Sequence, residues 1–306
     1  MSTERTAPAR PFGAVGTAMV TPFSADGESI DLDAAQRLAV HLRDHGHDLL
    51  VLNGTTGESP TTSGEEKLAL VRAVREAVGP DMTLIAGVGS NDTRKSVRVV
   101  RDHAALGIDG LLVVTPYYSK PSQEGIIAHV EAIAAASDLP VMLYDIPGRT
   151  GVPLSRETIL HLAENPSVLA LKDAKGDLLE SALIMAQSDL AYYSGEDALN
   201  LPWLAIGASG LVSVIGHVAG DLLAELVEAV DAGDIPRAQE LHGRLAAVTE
   251  AIFGLMPGVV AAKTALHLQG VLPHAAVRGP HSPASEAQSR ALAQALDAVP
   301  GIAPLH

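Results

Sequence analysis

Eight short, almost continuously apolar runs, each followed by a segment with the signals of a helix, constrain this chain more than any other feature. They begin at Ala14 (AVGTAMVTPF), Asp48 (DLLVLNGT), Thr83 (TLIAGVG), Gly110 (GLLVVTP), Pro140 (PVMLYDI), Ser167 (SVLALKDA), Leu190 (LAYYSGED) and Gly210 (GLVSVIG). Runs that lack polar alternation suit parallel strands buried on both faces. The segments between them carry start and stop residues. Asp31 precedes LDAAQRLAVHLRDHG, with Gly46 placed to end it, and Ser63-Gly64-Glu65-Glu66 reads as a capping box before a helix closed by Gly79. Asn91-Asp92 opens a helix that Gly107 stops, and Ser122, Ser155 and Asp177 fit as N-caps of later helices. A βα unit repeated eight times has one common solution: a closed α/β barrel, (β/α)₈ or TIM type, with the helices outside. A doubly wound open sheet is the alternative. It usually announces a nucleotide-binding glycine turn, and neither G-x-G-x-x-G after a strand nor G-x-x-x-x-G-K-[ST] occurs.

The alternation ends near Val230. From about Ile235 to Leu296 the chain reads as helices, including RAQELHGRLAAVTEAIFGL and ASEAQSRALAQALDAV, with a break at Met256-Pro257-Gly258. The expected organisation is an N-terminal tail over residues 1–12, a barrel over 13–230, and a C-terminal helical appendage over 231–306 packed on the barrel. The tail carries charges and prolines but no apolar stretch like that of a secretory signal, and no apolar run reaches the ~20 residues of a membrane span. A cytoplasmic protein is the expectation. The net charge of −15 argues against nucleic acid or an acidic membrane as partner, because both need basic patches. It also means that an anionic ligand must be caught by local positive groups. With no cysteine, disulfides and thiolate metal sites are excluded.

Barrels of this kind place their active sites at the carboxyl ends of the strands, so the polar residues where each apolar run stops are the candidates. Lys172 follows Val168-Leu169-Ala170-Leu171, so its stem starts within an apolar strand and its amine points to the barrel mouth. Burial disfavours a charged ammonium, and a neutral lysine attacks a ketone to form an imine, an electron sink for carbanion chemistry. The alternative is a lysine that pairs with Asp173 or another carboxylate at the rim. Imine chemistry needs a proton shuttle, and Tyr144 lies on the adjacent strand. Of 5 tyrosines, Tyr117, Tyr118 and Tyr144 all fall at strand ends, though tyrosines also cap barrel mouths for packing alone. Thr55 and Thr56 lie between Gly54 and Gly57, so their backbone can approach a ligand and offer N–H groups to a carboxylate. A simple strand-to-loop turn would need the same glycines. Arg149, in PGRTG, suits a two-pronged grip on a carboxylate; otherwise it is a loop arginine in water. His41, His45 and His47 have a metal-compatible spacing, but they fall at the end of an outer helix, on the side of the barrel away from the chemistry, and no metal is expected.

Taken together, GTTGES (Gly54 to Ser59), VTPYYSKPSQEG (Val114 to Gly125), YDIPGRTG (Tyr144 to Gly151), LKDAKGD (Leu171 to Asp177) and SGED (Ser194 to Asp197) resemble the dihydrodipicolinate synthase / N-acetylneuraminate lyase family of class I pyruvate aldolases. The resemblance runs from about Gly13 to the C-terminal helices, with the motifs in the family's order and spacing. It implies that Lys172 forms a Schiff base with pyruvate and that Tyr144 is the acid/base. It also implies that Thr55 links two tyrosine hydroxyls in a proton relay and that Tyr118 reaches into the neighbouring subunit's site. The Thr55 and Thr56 amides would hold the pyruvate carboxylate, Arg149 that of aspartate semialdehyde, and Gly195 and Val212 would line the pyruvate pocket. The implied reaction is condensation of these two compounds to 4-hydroxy-tetrahydrodipicolinate, for diaminopimelate and lysine biosynthesis. No cofactor is implied, and the assembly would be a dimer at least, commonly a tetramer.

Within the family, Thr55-Thr56 and Arg149 favour the synthase over the sialic-acid lyases, which typically show Ser-Thr between the glycines. An aldolase acting on a sugar-derived 2-keto acid such as N-acetylneuraminate or 2-keto-3-deoxygluconate is the alternative, and a low-turnover pyruvate-binding paralogue a further one. Members inhibited by lysine tend to carry His and Glu where this chain has Lys67 and Lys95. Two lysines repel a cationic effector, so feedback is expected to be weak or absent. VRGPHSPAS (Val277 to Ser285) replaces a more apolar family segment and has no catalytic reading.

Overall fold

The computed structural model describes residues 9–305. Residues 1–8, most of the expected tail, lie outside the described residues. All eight apolar runs form strands: β1 Val15–Ala18, β2 Leu49–Leu52, β3 Thr83–Gly87, β4 Gly110–Val114, β5 Val141–Asp145, β6 Val168–Asp173, β7 Ala191–Ser194 and β8 Gly210–Ser213. They pair in parallel in chain order and β1 also pairs with β8, so the barrel closes.

The helices are α1 Leu32–Asp44, α2 Gly64–Val78, α3 Thr93–Ala104, α4 Gln123–Ala134, α5 Pro147–Thr150 and α6 Arg156–Ala163. Then follow α7 Leu178–Met185, α8 Asn200–Ile206, α9 Gly216–Asp231, α10 Ile235–Gly254, α11 Gly258–Leu268 and α12 Glu286–Asp297. The caps act as expected. The side chains of Asp31, Asp92, Ser122, Ser155 and Asp177 each accept from a backbone N–H of the first turn they precede. Ser63 and Glu66 make the reciprocal capping box of α2. Helix α3 stops at Ala104, short of Gly107, which instead turns the following loop with φ +71°.

Three apolar layers hold this together. The largest lies between the strands and the ring of helices and includes Leu38, Leu50, Val71, Leu84 and Leu143. A second fills the barrel itself, with Leu49, Val51, Ile85, Met142, Tyr144, Tyr193 and Val212. Phe12, counted with the tail on sequence grounds, belongs to this interior layer and is buried. Its ring contacts the position of a Cβ on Gly110 at the start of β4, and its N–H donates to the Tyr193 hydroxyl (3.2 Å), which donates to Gly13 O (2.9 Å). The amino end of the barrel is thereby stoppered. The third layer joins α9 to α12 with Ala14, Val15 and Leu211 of the barrel wall, so the C-terminal helices share a core with β1 and β8. Among the described residues no single helix is long and apolar enough to cross a membrane.

Candidate active site

Strands β5 and β6 run in the register Tyr144↔Lys172 and Asp145↔Asp173. An irregularity after Val141↔Val168 passes over Leu169, so that Met142 meets Ala170 and the next pairs follow in step. This single skipped residue sets Lys172 beside Tyr144. Alternation then sends Tyr144 and Lys172 into the barrel and the two aspartates outward, toward the helices. Lys172 is 4% exposed, and its Nζ lies 4.3 Å from the centre of the Tyr144 ring. It enters no salt bridge with Asp173: that carboxylate accepts from the N–H groups of Lys175 (2.8 Å) and Gly176 (3.1 Å) and from the Ser181 hydroxyl (3.1 Å). The rim-pairing alternative for Lys172 therefore has no partner in Asp173.

Gly195, just past β7, donates to Asp173 O at 2.7 Å. A Cβ here would stand 3.0 Å from both Lys172 Cε and Asp173 O, so a side chain at this position would press on the lysine stem. Beyond it, the buried Asp197 carboxylate accepts from Ser213 Oγ (2.5 Å), Asn200 Nδ2 (3.1 Å), Val214 N (2.8 Å) and Ile215 N (3.0 Å). This ties the loop after β7 to the end of β8, next to the buried Val212.

The loop after β2 is fixed by its backbone. Asn53 and Glu58 both adopt left-handed φ values, +56° and +53°. Glu58 N donates to Thr55 O (3.1 Å), Ser59 N to Gly54 O (3.3 Å), and Thr21 Oγ1 to Gly57 O (2.7 Å). The Thr55 and Thr56 N–H groups have no hydrogen-bond partner among the described residues, which leaves them free for a ligand.

A cavity of about 350 Å³ opens at this end of the barrel, and Gly54, Thr55, Tyr144 and Arg149 are on its wall. Arg149 sits on the one-turn helix α5, not in a loop as its PGRTG context suggests: Pro147 starts the turn, and Gly151 ends it at φ +81°. Lys67 and Lys95 line the same cavity, and no lining residue is acidic. In a chain of net charge −15 this is a local positive enclave. Burial lowers the pKa of Lys67, and the charge on Lys95 lowers it further.

The structure thus gathers Thr55, Tyr144 and Arg149 on the cavity wall and sets Lys172 against Tyr144, with Gly195 beside the lysine stem and Val212 in the same interior layer; Lys172, Thr56, Gly195 and Val212 are not themselves on that wall. It does not bring Tyr118 to them. Tyr118 is 89% exposed, at φ +71°, and is absent from the cavity wall. No hydrogen bond joins Thr55 to Tyr144 among the described residues. The three histidines of the metal-compatible spacing do not converge: His47 goes to Thr17 Oγ1 (2.6 Å) and Leu42 O (2.8 Å), while His45 goes to Asp221 (2.8 Å) with the His41 ring tilted against its own.

Sequence reasoning missed one set of residues near the site. Glu58 forms a buried ion pair with Lys263 of α11, and Arg278 donates its N–H to the other Glu58 oxygen (2.9 Å). Glu58 stood in the GTTGES motif, but no local signal points to partners so distant in the chain.

A closed parallel barrel with a buried lysine against a phenol, below a cationic cavity, defines an enzyme of the lyase class whose strand-end residues follow an aldolase pattern. The chain belongs to the dihydrodipicolinate synthetase family, whose model matches residues 11–299. Among curated relatives, the 4-hydroxy-tetrahydrodipicolinate synthase of Kineococcus radiotolerans is 54% identical over 297 residues, 97% of this chain and 96% of the relative. A crystal structure of the dihydrodipicolinate synthase of Cyanidioschyzon merolae with lysine bound superposes with a TM-score of 0.92 at 42% identity, covering 95% of this chain and 99% of that one. A monomeric dihydrodipicolinate synthase variant superposes at 0.89 with 35% identity, covering 94% and 96%.

Proposed function

We propose that this chain condenses pyruvate with aspartate semialdehyde to give 4-hydroxy-tetrahydrodipicolinate, the step that leads toward diaminopimelate and lysine. The single observation that carries the reading is Lys172, buried at a strand end with its Nζ against the Tyr144 ring. The Lys172 amine attacks C2 of pyruvate. Tyr144 gives a proton to the carbinolamine oxygen, which leaves as water, and the imine forms. Tyr144 then takes a proton from the methyl carbon to yield the enamine. The enamine carbon attacks the aldehyde, whose oxygen is protonated. The substrate's own amine next attacks the imine carbon, closes the ring and expels Lys172.

The free Thr55 and Thr56 amides suit the pyruvate carboxylate, with Gly195 and Val212 beside it, and Arg149 suits the carboxylate of the second substrate. Thr55 passes protons between Tyr144 and Tyr118 of a second copy, which makes the working unit a dimer. The exposure of Tyr118, and of Leu179 and Leu183 on α7, supports two contact surfaces and hence a tetramer. The solved monomeric variant marks assembly as separable from the fold. The proposed chemistry uses no metal or cofactor and no nucleic-acid or membrane partner, and the proposed compartment is the cytoplasm. Lys67 and Lys95 on the cavity wall disfavour a cationic effector, so lysine feedback is taken to be weak or absent.

Borohydride reduction in the presence of pyruvate, followed by peptide mass spectrometry, tests the reading. One reduced pyruvate on Lys172, and none in Lys172→Arg, is the expected result. An unmodified Lys172 in the native chain overturns it.

A further inference from the structure

We propose that the buried Glu58–Lys263 pair, braced by Arg278, positions the Thr55 and Thr56 amides to receive the keto acid's carboxylate, so that the C-terminal helices take part in setting the active site. The inference rests on the function proposed above and adds positioning residues to it.

Glu58 holds a left-handed backbone that side-chain-bearing residues rarely adopt, and such a conformation persists only where its surroundings over-determine it. Its N–H is bonded to Thr55 O, so any shift of Glu58 passes within one turn to the unpartnered amides of Thr56 and of Thr55, the latter on the cavity wall. Both carboxylate oxygens are anchored from the C-terminal part of the chain: Oε1 by Lys263 Nζ and Oε2 by Arg278 N–H (2.9 Å).

The anchors are in turn fixed. Lys263 also donates to Ala276 O (2.9 Å) and lies 4.0 Å above the Phe23 ring. The Arg278 guanidinium donates to Gly27 O (2.7 Å), Glu28 O (2.8 Å) and Thr61 O (3.0 Å), and to the Glu66 carboxylate (2.6 Å) at the start of α2. One side chain thus frames the loops after β1 and β2. This accounts for the arginine in the divergent segment Val277 to Ser285.

The side chains of Lys263 and Glu58 are 0% and 1% exposed. Removing both charges from water costs as much as their attraction returns, and well-packed apolar residues in their place are often as stable or more so. A pair that brings little net stability, at the foot of a ligand-facing turn, is explained by the geometry it imposes.

The test separates stability from placement. Native chain, Glu58→Gln, the double variant Glu58→Gln/Lys263→Met, and Arg278→Gln are compared by thermal melting and near-UV circular dichroism. Each is also assayed for kcat, for the KM of each substrate, and for the pyruvate concentration that half-saturates borohydride trapping. The expected result is a rise of about tenfold in half-saturating pyruvate in all three variants, with the aldehyde KM moved less than twofold. In the double variant the melting temperature recovers toward the native value while the pyruvate defect stays. A merely structural pair predicts that both recover together. Native half-saturation in a folded double variant overturns the inference; should that variant not fold, unchanged half-saturation in Glu58→Gln does so. Failure of the native chain to trap pyruvate at all strikes the proposed function instead.

Discussion

Tyr144 meets Lys172 through its ring, and its hydroxyl is free to serve a ligand. The two contributions separate under mutation. Tyr144→Phe keeps the aromatic wall and the apolar contacts of the barrel interior. It is therefore expected to fold, and to bind pyruvate with half-saturation little changed. Loss of the proton carrier should lower kcat by roughly 10²- to 10⁴-fold. Steady-state kinetics of the purified variant check this, and a native kcat would remove the hydroxyl from the relay. That Lys172, Tyr144 and Thr55 stand at strand ends, with Arg149 just beyond one, was legible where apolar runs meet polar residues, whereas the roles proposed for them rest on the family resemblance. That Arg149 rides on a helical turn was not legible: a four-residue helix is too short for any periodic signal. The partners of Glu58 were hidden for another reason. An ion pair between residues 205 positions apart is made by tertiary packing, which a local pattern does not encode.

At the scale of elements, the same register that points Tyr144 and Lys172 inward buries Asp145 and Asp173 between strands and helices. Burial, with some repulsion from Asp173, pushes Asp145 up to about 7, and its Oδ1 has no hydrogen-bond partner. Below its unfolded value of 3.8 this costs nothing. As pH rises from 3.8 to about 7 the folded chain is increasingly destabilised, by roughly 1.4 kcal/mol for each unit crossed, and above that the cost is constant. Asp145→Asn keeps an acceptor for Leu154 N and cannot ionise, so its melting temperature should exceed the native one by a margin that grows from pH 4 to pH 7 and then levels. Thermal melts across that range check it, and a margin independent of pH would exclude Asp145 as the source. His47 and His217 act in the opposite sense. Each is buried with one ring nitrogen against a carbonyl and the other against a donor, and burial lowers both to about 4. Their contribution is full above 6.5 and is lost as pH falls through about 4. The strands and helix caps behind this layout were readable from short apolar runs and from Asp, Ser and Gly at the ends. The passed-over Leu169 in β6 was not, since a bulge leaves the apolar run intact while changing what it faces.

For the whole molecule, the outward-facing Tyr118 has a consequence that one chain cannot show alone. If each site borrows this tyrosine from its neighbour, then Lys172→Ala and Tyr118→Phe subunits, each nearly inactive, should regain activity when co-refolded. A mixed dimer places both defects in one site and leaves the other intact. Turnover of the mixture rising toward a quarter of the native rate is the expected outcome, and strictly additive, near-zero activity would assign Tyr118 no role across subunits. The barrel and its helical appendage were legible as a whole because eight repeats leave few topologies, whereas in the sequence the proposed assembly rests on family resemblance alone. The ring wedged by Phe12 and Tyr193 into the floor of the barrel leaves a dead-end vessel in place of a channel. On the proposed chemistry, traffic must then run in single file: the keto acid goes in first and deepest, the aldehyde is laid over it, and nothing can reload the lysine until the finished ring has backed out through the way both came in.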